Sequence, residues 1–354
     1  MTLAIDWTAE AEIDAAELSW REFDAKYEGA YEFDAYRWRR YRVSKAGLKV
    51  KGRAKKYSGG EPAMILPERP AEPDAEKLWD AVIDHQASIL AERDQIVNEL
   101  DVKILADRPV GVAFFADLHI GGMGTDHAAI RRDIELAISC SHLKVYLGGD
   151  AVDNFVMAKL AHVARDDSAA APFTQWELFR HVVTTLVKSG KLIAVGDGNH
   201  NAWTRRVAGI DGSLAALRGV PAIYTGEGGF INLEVGRQDY AIFRKHRPGM
   251  SSRYNPTHSA RQAMRFGRTN KHDKLPDVVV VEHQHEPSIE AGQMLGKERV
   301  FVRTGTYKTR DKFAEEFGFT GTAIGTPVVV FDPWRRRMTP FASLRTAIEY
   351  LEGE

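Results

Sequence analysis

The sequence has one cysteine, Cys140, among its 354 residues, and no long apolar run. A single cysteine excludes an internal disulfide framework and a cysteine-based zinc site. Without an apolar run of about 20 residues, a membrane-spanning helix is not expected, and the acidic N-terminus is unlike a signal peptide. These absences predict a protein of the reducing cytoplasm that has no membrane partner.

The net charge of −1 conceals a strong local asymmetry near the N-terminus. Residues 1–35 carry ten acidic side chains, and residues 36–56 carry ten basic side chains and no acid. The segment Arg37–Arg42 interleaves arginines with aromatic side chains, a combination that suits phosphate contacts and base stacking. We predict a small helical region over 1–56, similar to a helix-turn-helix, with a basic arm. Internal pairing of the acidic and basic stretches is the alternative.

Four further segments follow from composition and periodicity. Residues 57–73 are rich in glycine and proline and have the composition of a linker. A long amphipathic helix is predicted over 74–106, with its apolar stripe packed on its own domain. The alternative for this helix is a homodimer contact through residues 74–100. The main domain is predicted over 107–340 and a C-terminal helix or tail over 341–354.

The main domain alternates short apolar runs with helical periodicity, which indicates an α/β fold. Two helices are predicted, near 127–140 and 172–188. Helix-linked strands followed by a run of short strands predict two sheets that pack face to face with helices outside. The predicted strands are 112–116, 143–147, 192–195, 230–235, 240–243, 278–281, 300–303 and 328–331.

Five of the predicted strands end in Asp, Asn or His side chains. Ligands bind at the ends of strands in open α/β sheets, so these side chains are expected to share one cavity. The mixture of oxygen and nitrogen ligands suits a divalent cation. Two cations about 3.5–4 Å apart need a shared carboxylate, and Asp150 is placed for that role. These strand ends carry Asp117 and His119; Asp150, Asp153 and Asn154; Asp197, Asn199, His200 and Asn201; His246; and His283 and His285. His258 is an alternative to His246.

The motifs D-x-H, G-D-x-x-D-N, G-N-H, a single His after a strand, and H-x-H resemble those of the calcineurin-like metallophosphoesterases. The resemblance covers residues 110–335, with all five motifs in the family's order. It implies a four-layer α/β/β/α sandwich and a dinuclear metal site. The implied ligands of the first metal are Asp117, His119, Asp150 and His285. Those of the second are Asp150, Asn199, His246 and His283.

The resemblance also implies roles for residues that do not bind metal. His200 would face the scissile phosphate as the general acid, and Asp153 and Asn154 would orient a ligand histidine. Asn154 stands where the family often has Arg, and Asn201 where it often has an acid, which predicts a swapped pair. Glu282 stands where Gly is usual and needs room. Manganese is the expected metal, with iron, zinc and magnesium as alternatives.

The segment Arg244–Lys274 contains nine bases and one acid between two predicted ligands. A basic segment held near the metals is expected to line the active site and to favour a polyanion. We therefore expect a nuclease that acts on DNA, similar to phage-type or DNA-repair-exonuclease-like members. A phosphodiesterase or phosphatase of nucleotides or other small phosphoesters is the alternative. A non-catalytic DNA-binding protein is a third. The candidate substrate contacts are Arg205, Arg206, Arg261, Arg265 and Arg268.

Overall fold

The structure is a computed structural model that describes residues 22, 26, 74–94, 96–157, 168–249, 252, 254–266, 268–309 and 324–353. The predicted helix-turn-helix-like region, its basic arm and the linker lie outside the described residues, apart from Glu22 and Lys26. No helix in the described ranges is long and apolar enough to cross a membrane.

Eleven strands of the described residues form one hydrogen-bonded sheet in a mixed α/β fold. Their order is β11-β10-β2-β3-β4-β5-β6-β7-β9-β8, and β1 pairs with β5. The strands are β1 (Val97–Ile104), β2 (Val110–Phe115), β3 (Leu143–Leu147), β4 (Leu192–Gly196), β5 (Tyr224–Val235), β6 (Gln238–Lys245), β7 (Val278–Val281), β8 (Ser288–Met294), β9 (Lys297–Arg303), β10 (Val328–Phe331) and β11 (Met338–Phe341).

Helices connect the parallel strands in the first half of the sheet. Both helices predicted for the main domain are confirmed, and each ends within about a residue of the predicted boundary. The helices of the described residues are α1 (Ala75–Asp94), α2 (His127–Ser139), α3 (Pro172–Lys188), α4 (Asn199–Ala208), α5 (Gly212–Leu217), α6 (His258–Arg265) and α7 (Leu344–Gly353).

All eight predicted strands are confirmed, because each apolar run is buried in the sheet. Every residue of β2 is buried, as expected of a central strand that is covered on both faces. The strands β2, β3 and β4 are mutually parallel, so their carboxyl ends lie at the same edge. β6 and β7 are also parallel to each other. This arrangement brings the polar residues that follow these strands together.

The core formed by the described residues consists of three clusters, and alternate residues of β2 belong to different clusters. Ala113 and Phe115 pack in a cluster with residues of α2, α3 and α7. Val112 and Phe114 pack in a second cluster with residues of β6, β7 and β9, which lie far along the sheet. The third cluster joins β6, β7 and β9 with α6. The two ends of the sheet therefore share a core on one face.

The predicted helix over 74–106 is wrong in its second part. Helix α1 ends at Asp94, and β1 begins at Val97 and runs parallel to β5. The residues of β1 fit a helical stripe, but they also alternate with period two, and pairing with β5 decides between the patterns. The preference for packing α1 on its own domain is also wrong, because Leu78 and Trp79 are 53% and 66% exposed. Pairing of α1 with a second copy stays a prediction.

Candidate metal centre

The loops that follow β2 and β3 are tied together by backbone hydrogen bonds. The amide of Asp117 donates to the Gly149 carbonyl over 2.9 Å, and the amide of His119 donates to the Asp150 carbonyl over 3.0 Å. These bonds continue the parallel pairing of β2 and β3 beyond the strand ends. The two motifs D-x-H and G-D-x-x-D-N therefore lie side by side, as their places at adjacent strand ends predict.

Backbone strain is concentrated in these loops. Eight non-glycine residues of the described ranges have a positive φ, and six of them belong to the candidate site. Such left-handed conformations cost free energy and persist where the surrounding structure enforces them, commonly at functional sites. The strain therefore points to the same place as the sequence motifs. The six residues are Asp117, His119, Asp150, Asn154, His283 and His285.

One group of candidate ligands contains Asp117, His119 and His285, whose ligand atoms lie within 4.8 Å of one another. His119 Nε2 lies 3.2 Å from His285 Nε2, and His285 Nε2 lies 3.4 Å from Asp117 Oδ1. On the other side of the ring, His119 Nδ1 lies 3.1 Å from Asp153 Oδ1. Lys308 Nζ donates to the same carboxylate oxygen over 2.9 Å. The Asp153 carboxylate thus contacts a predicted ligand histidine and a buried cation.

A second group contains Asp117, Asp150, His246 and His283. His246 Nε2 lies 3.0 Å from Asp150 Oδ2, and His283 Nδ1 lies 3.7 Å from the same oxygen. Asp117 is common to both groups, whereas the sequence predicts that Asp150 is shared. His258 lies outside both groups; it begins α6 and its Nε2 contacts Gln262 Nε2 at 3.4 Å.

Opposite charges determine the protonation of this second group. Burial opposes ionisation of the Asp150 carboxyl, but His246 and His200 lower its pKa well below the usual value. Burial likewise opposes protonation of His246, but the Asp150 and Glu282 carboxylates raise its pKa well above the usual value. Without a cation, the ring of His246 is therefore protonated and paired with Asp150. A bound metal would replace this proton.

The acceptor atoms of the site face one another, which is the arrangement that a bound cation requires. Asp117 Oδ1 is buried and has no hydrogen-bond donor. Asn199 Oδ1 lies 3.1 Å from His283 Nδ1, 3.1 Å from His246 Nε2 and 3.3 Å from Asp150 Oδ2. If the amide were rotated by 180°, its nitrogen could donate to Asp150 Oδ2 and His283 Nδ1 in the metal-free protein. With the oxygen inward, the carboxylate, amide and imidazole atoms fit divalent cations.

His200 lies beside both groups and belongs to a third, with His119 and Asp153, whose ligand atoms also lie within 4.8 Å of one another. The backbone holds its ring. Its amide donates to Asp150 Oδ1 over 2.8 Å, and its Nδ1 contacts the carbonyl oxygen of Asp153. The ring packs against Trp203, with centroids 3.9 Å apart, and against Phe155 at 5.3 Å. Burial lowers the pKa of His200 to about 4. The imidazole is therefore neutral at neutral pH, with the Nδ1 proton donated to Asp153 and Nε2 left as an acceptor.

The predicted pairing of Asn154 with Asn201 is wrong. Asn154 donates to the His200 carbonyl and exchanges hydrogen bonds with the Thr204 hydroxyl at 3.0 and 3.1 Å. Asn201 instead accepts from the Ala151 amide over 3.2 Å and donates to Ser213. The two amides are too short to replace an Arg–carboxylate pair, so each finds its own partners. Asn154 therefore supports the first turns of α4, which carry His200 and Thr204.

Several basic residues predicted to contact substrate are compensated within the fold. Arg244 is 1% exposed inside β6 and does not line the cleft. Arg261 pairs with Glu290 and lies over the Phe301 ring, and Arg205 pairs with Asp211 at 2.9 Å. The remaining predicted contacts have exposed side chains; they are Arg206, Arg265 and Arg268.

Two features of the site were not predicted from the sequence. One is that Lys308 belongs to it, and the other is which residue leaves space for the buried Glu282 side chain. Glu282 is fully buried, and a Cβ placed on Gly148 would lie 2.8 Å from its carboxyl carbon. Gly148 thus provides the space that the unusual acid needs. A glycine in one motif and an acid in a distant motif carry no local signal of this contact. A search of the other motifs for a glycine that could leave space for the larger Glu282 side chain could have suggested this contact.

We expect Gly148→Ala to lower the free energy of unfolding by ~1–3 kcal/mol, because the new methyl group overpacks a buried site. It would also meet Ala116 Cβ at 2.7 Å. Urea denaturation followed by circular dichroism measures the change. The matched control is Gly249→Ala, whose methyl group meets nothing within 4 Å and should change stability by less than ~0.5 kcal/mol. Equal stability of the two variants would contradict the proposed packing of Glu282 against Gly148.

No model of a known protein family matches the chain, and no curated protein sequence matches it. Among solved structures, the chain is similar to Vps29 of Chaetomium thermophilum, with 11% identity over 66% of this chain and 92% of that one, at a TM-score of 0.33. It is also similar to the nuclease MPE of Pseudomonas putida, with 17% identity over 65% of this chain and 87% of that one, at a TM-score of 0.29.

Proposed function

We propose that the protein is a dinuclear-metal-dependent phosphoesterase that hydrolyses phosphodiester bonds, with DNA as its substrate. The observation that carries this proposal is the pair of overlapping Asp/His groups, each with its ligand atoms within 4.8 Å of one another. Two such groups sharing a carboxylate suit two divalent cations that clamp one phosphate. Manganese is the proposed metal because the ligands are carboxylate, amide and imidazole, without thiolate.

The residues of the proposed first position are Asp117, His119, Asp150 and His285, and those of the second are Asp150, Asn199, His246 and His283. The structure places Asp117 in both groups of ligand atoms, whereas the shared role of Asp150 rests on the order of the motifs. Bound there, two divalent cations would supply a hydroxide at neutral pH and neutralise charge on the phosphate oxygens. Asp117 and Asp150 contribute the negative charge that holds the cations. Asp153 fixes the ring of His119, so that Nε2 faces the site.

His200 is the proposed proton donor to the leaving oxygen. Its Nδ1 contact with the Asp153 carbonyl directs Nε2 away from the backbone. The free protein holds this ring neutral, because burial lowers its pKa. The negative charge of a phosphodiester beside the ring would raise that pKa by direct attraction. The proton would then be carried on Nε2 only when substrate is present.

We also propose that the sheet folds into the four-layer α/β/β/α sandwich of the calcineurin-like metallophosphoesterases. The cluster shared by β2 with β6, β7 and β9 supports this arrangement. Helices α2, α3 and α7 pack on one outer face, and α6 packs on the other. The order of the five motifs supports membership of this superfamily, including the phage-type or repair-exonuclease-like group.

One observation favours the alternative of a small phosphoester substrate. Acids compensate several charges of the basic segment, since Lys271 pairs with Asp101 and Lys274 with Asp239. The net field at the cleft is therefore weaker than the count of bases indicates. The exposed Arg265 and Arg268 still favour a polyanion.

A substrate panel with manganese tests the proposed function. It compares single- and double-stranded DNA, RNA, a cyclic dinucleotide, a chromogenic phosphodiester and a phosphomonoester. Metal-dependent cleavage of DNA and of the chromogenic diester is expected, both abolished by a chelator. Cleavage of only the small esters would favour the alternative. Binding of DNA without hydrolysis of any ester would instead favour a non-catalytic DNA-binding protein.

The double variant Arg265→Ala/Arg268→Ala should flatten the salt dependence of DNA affinity. Each phosphate contact contributes roughly one unit to the slope of log affinity against log salt, and a little less for single strands. Hydrolysis of the chromogenic diester should stay unchanged. Fluorescence anisotropy over a series of salt concentrations measures the slope.

The matched control for this variant is Arg261→Ala, because Glu290 already pairs with that arginine. It should leave the slope unchanged. If the double variant shows the same slope of log affinity against log salt as the parent, Arg265 and Arg268 do not contact DNA. That result would strengthen the small-substrate alternative.

A further inference from the structure

We infer that Glu282 and Arg244 position the metal-facing ring of His246, and so set the affinity of the second metal position. This inference rests on the proposed function, because it concerns one of its two metal positions. Glu282 departs from the glycine expected at this place, and it does not itself face the proposed metals. The three side chains Arg244, Glu282 and His246 are called the second triad below.

The second triad is fully buried and its contacts are directional. Glu282 Oε2 accepts from the Gly149 amide over 2.8 Å and lies 3.1 Å from His246 Nδ1. Because a carboxylate can only accept, the proton of the ring lies on Nδ1 and donates to Glu282. His246 Nε2 is then left to face Asp150 at 3.0 Å. The carboxylate therefore selects the tautomer that a metal ligand needs.

Arg244 places a buried positive charge beside Glu282. Its Nε lies 3.4 Å from Glu282 Oε1, an ion pair without an aligned hydrogen bond. Its Nη1 donates to the Thr225 hydroxyl over 3.0 Å and to the Gly226 carbonyl. The guanidinium also lies 5.4 Å from the centre of the Tyr146 ring. The Arg244 guanidinium is thus fixed by several contacts, and its ion pair in turn fixes the Glu282 carboxylate.

The first metal position has the same construction from unrelated residues. Lys308 Nζ donates to Asp153 Oδ1, and this oxygen lies 3.1 Å from His119 Nδ1. We call Lys308, Asp153 and His119 the first triad. Each proposed metal position therefore has one histidine backed by a buried carboxylate and a buried cation. The repetition of this construction argues that the second triad serves the metal and is not an isolated core ion pair.

Two glycines without side chains, Gly148 and Gly149, leave the space that the second triad occupies. A Cβ on Gly149 would lie 2.5 Å from His246 Nδ1, and a Cβ on Gly148 would lie 2.9 Å from Glu282 Oε1. Both glycines of the G-G-D motif are therefore required by this arrangement. Glu282 and His246 are fully buried and pack directly against these two glycines, as a positioning role requires.

The test is a titration of the full-length metal-free protein with Mn²⁺, followed by isothermal calorimetry. The parent should bind two ions per chain. Glu282→Gln should weaken one of the two sites by ~10–100-fold and leave the other unchanged, which is the usual effect of removing such a partner. Asp153→Asn should likewise weaken one site, and the variant with both changes should weaken both.

A double-mutant cycle separates positioning from a general effect on the fold. If Glu282 acts through His246, Glu282→Gln should cost no further Mn²⁺ affinity when His246→Gln is already present. Absorption of Co²⁺ bound to the same proteins provides a second readout, because Glu282→Gln should change the ligand-field bands while His246 remains a ligand. Additive losses in the cycle would overturn the inference.

Two further variants guard against misfolding. Arg244→Gln/Glu282→Gln removes both charges of the buried pair together and leaves no uncompensated cation; it should melt closer to the parent than Glu282→Gln does. Its Mn²⁺ affinity should nevertheless stay low. Recovery of affinity together with melting temperature would mean that the effect was structural, and would overturn the inference. The matched control is Glu290→Gln, which removes another Glu–Arg pair and should leave both sites intact.

The outcomes separate the inference from the proposed function. A parent that binds fewer than two ions overturns both. A parent that binds two ions, together with a Glu282→Gln variant of unchanged affinity, overturns the inference alone.

Discussion

Asp150→Asn should abolish measurable phosphodiester hydrolysis, with a loss of at least ~10³-fold. Removal of a residue that only contacts a metal ligand lowers metal affinity or activity by ~10–100-fold. A larger loss is expected for Asp150, because it is itself a proposed metal ligand. Its Oδ1 accepts from the His200 amide over 2.8 Å, and its Oδ2 lies 3.0 Å from His246 Nε2. The amide keeps the volume but loses the charge. Elemental analysis should show fewer than two metals per chain, alongside the loss of turnover.

The control for this variant is Asp197→Asn, the same change at a nearby buried carboxyl. Burial raises the pKa of Asp197 to about 6, and its Oδ1 accepts from the Gly198 amide over 2.9 Å. An asparagine can keep that hydrogen bond, so metal content and turnover should stay near those of the parent. Equal losses of metal and turnover in both variants would mean that any change of charge in this region has the same effect. That result would contradict the proposed role of Asp150 as a metal ligand.

His200→Gln should lower turnover by ~10²–10⁴-fold, the range expected for loss of a general acid. The metal content should stay near that of the parent, because His200 contacts the site through its backbone amide and the Asp153 carbonyl. Steady-state kinetics on DNA, whose leaving alkoxide needs a proton, and elemental analysis of the same sample measure the two effects. The same variant should lose less turnover on a diester with a good leaving group, because that leaving oxygen needs no proton.

His258→Gln is the matched control for this change, because that histidine begins α6 outside both ligand groups. It should leave turnover and metal content unchanged. Loss of metal from His200→Gln would mean that His200 is a ligand, and the proposed division of roles would be wrong.

The sequence predicted the strands and the candidate ligands because both carry local signals. A short apolar run, such as 112–116, is buried as a strand, and the polar residues after it lie at the sheet edge. Asp117, His119 and Asp150 are adjacent in space because β2 and β3 are adjacent and parallel. The extent of α1 was mispredicted because Val97–Ile104 fits two periodicities and only its pairing with β5 selects one.

The buried charges of the site could not be predicted, because they depend on contacts between distant parts of the chain. Lys308 meets Asp153 across 155 positions, and no local pattern marks either residue as a partner of the other. Arg244 counted as a base of an exposed segment, yet its burial removes it from the cleft. A count of charges therefore overestimates the basic surface when acids elsewhere compensate them.

The measurement that tests the account most directly is the metal content of the protein after reconstitution with manganese and removal of excess ion. Two manganese ions per chain are predicted, since two overlapping groups of ligand atoms lie at the ends of neighbouring strands. Asp150→Asn in the same experiment should bind fewer. One ion or less per chain in the parent would contradict the dinuclear site, and with it the proposed hydrolysis of phosphodiesters.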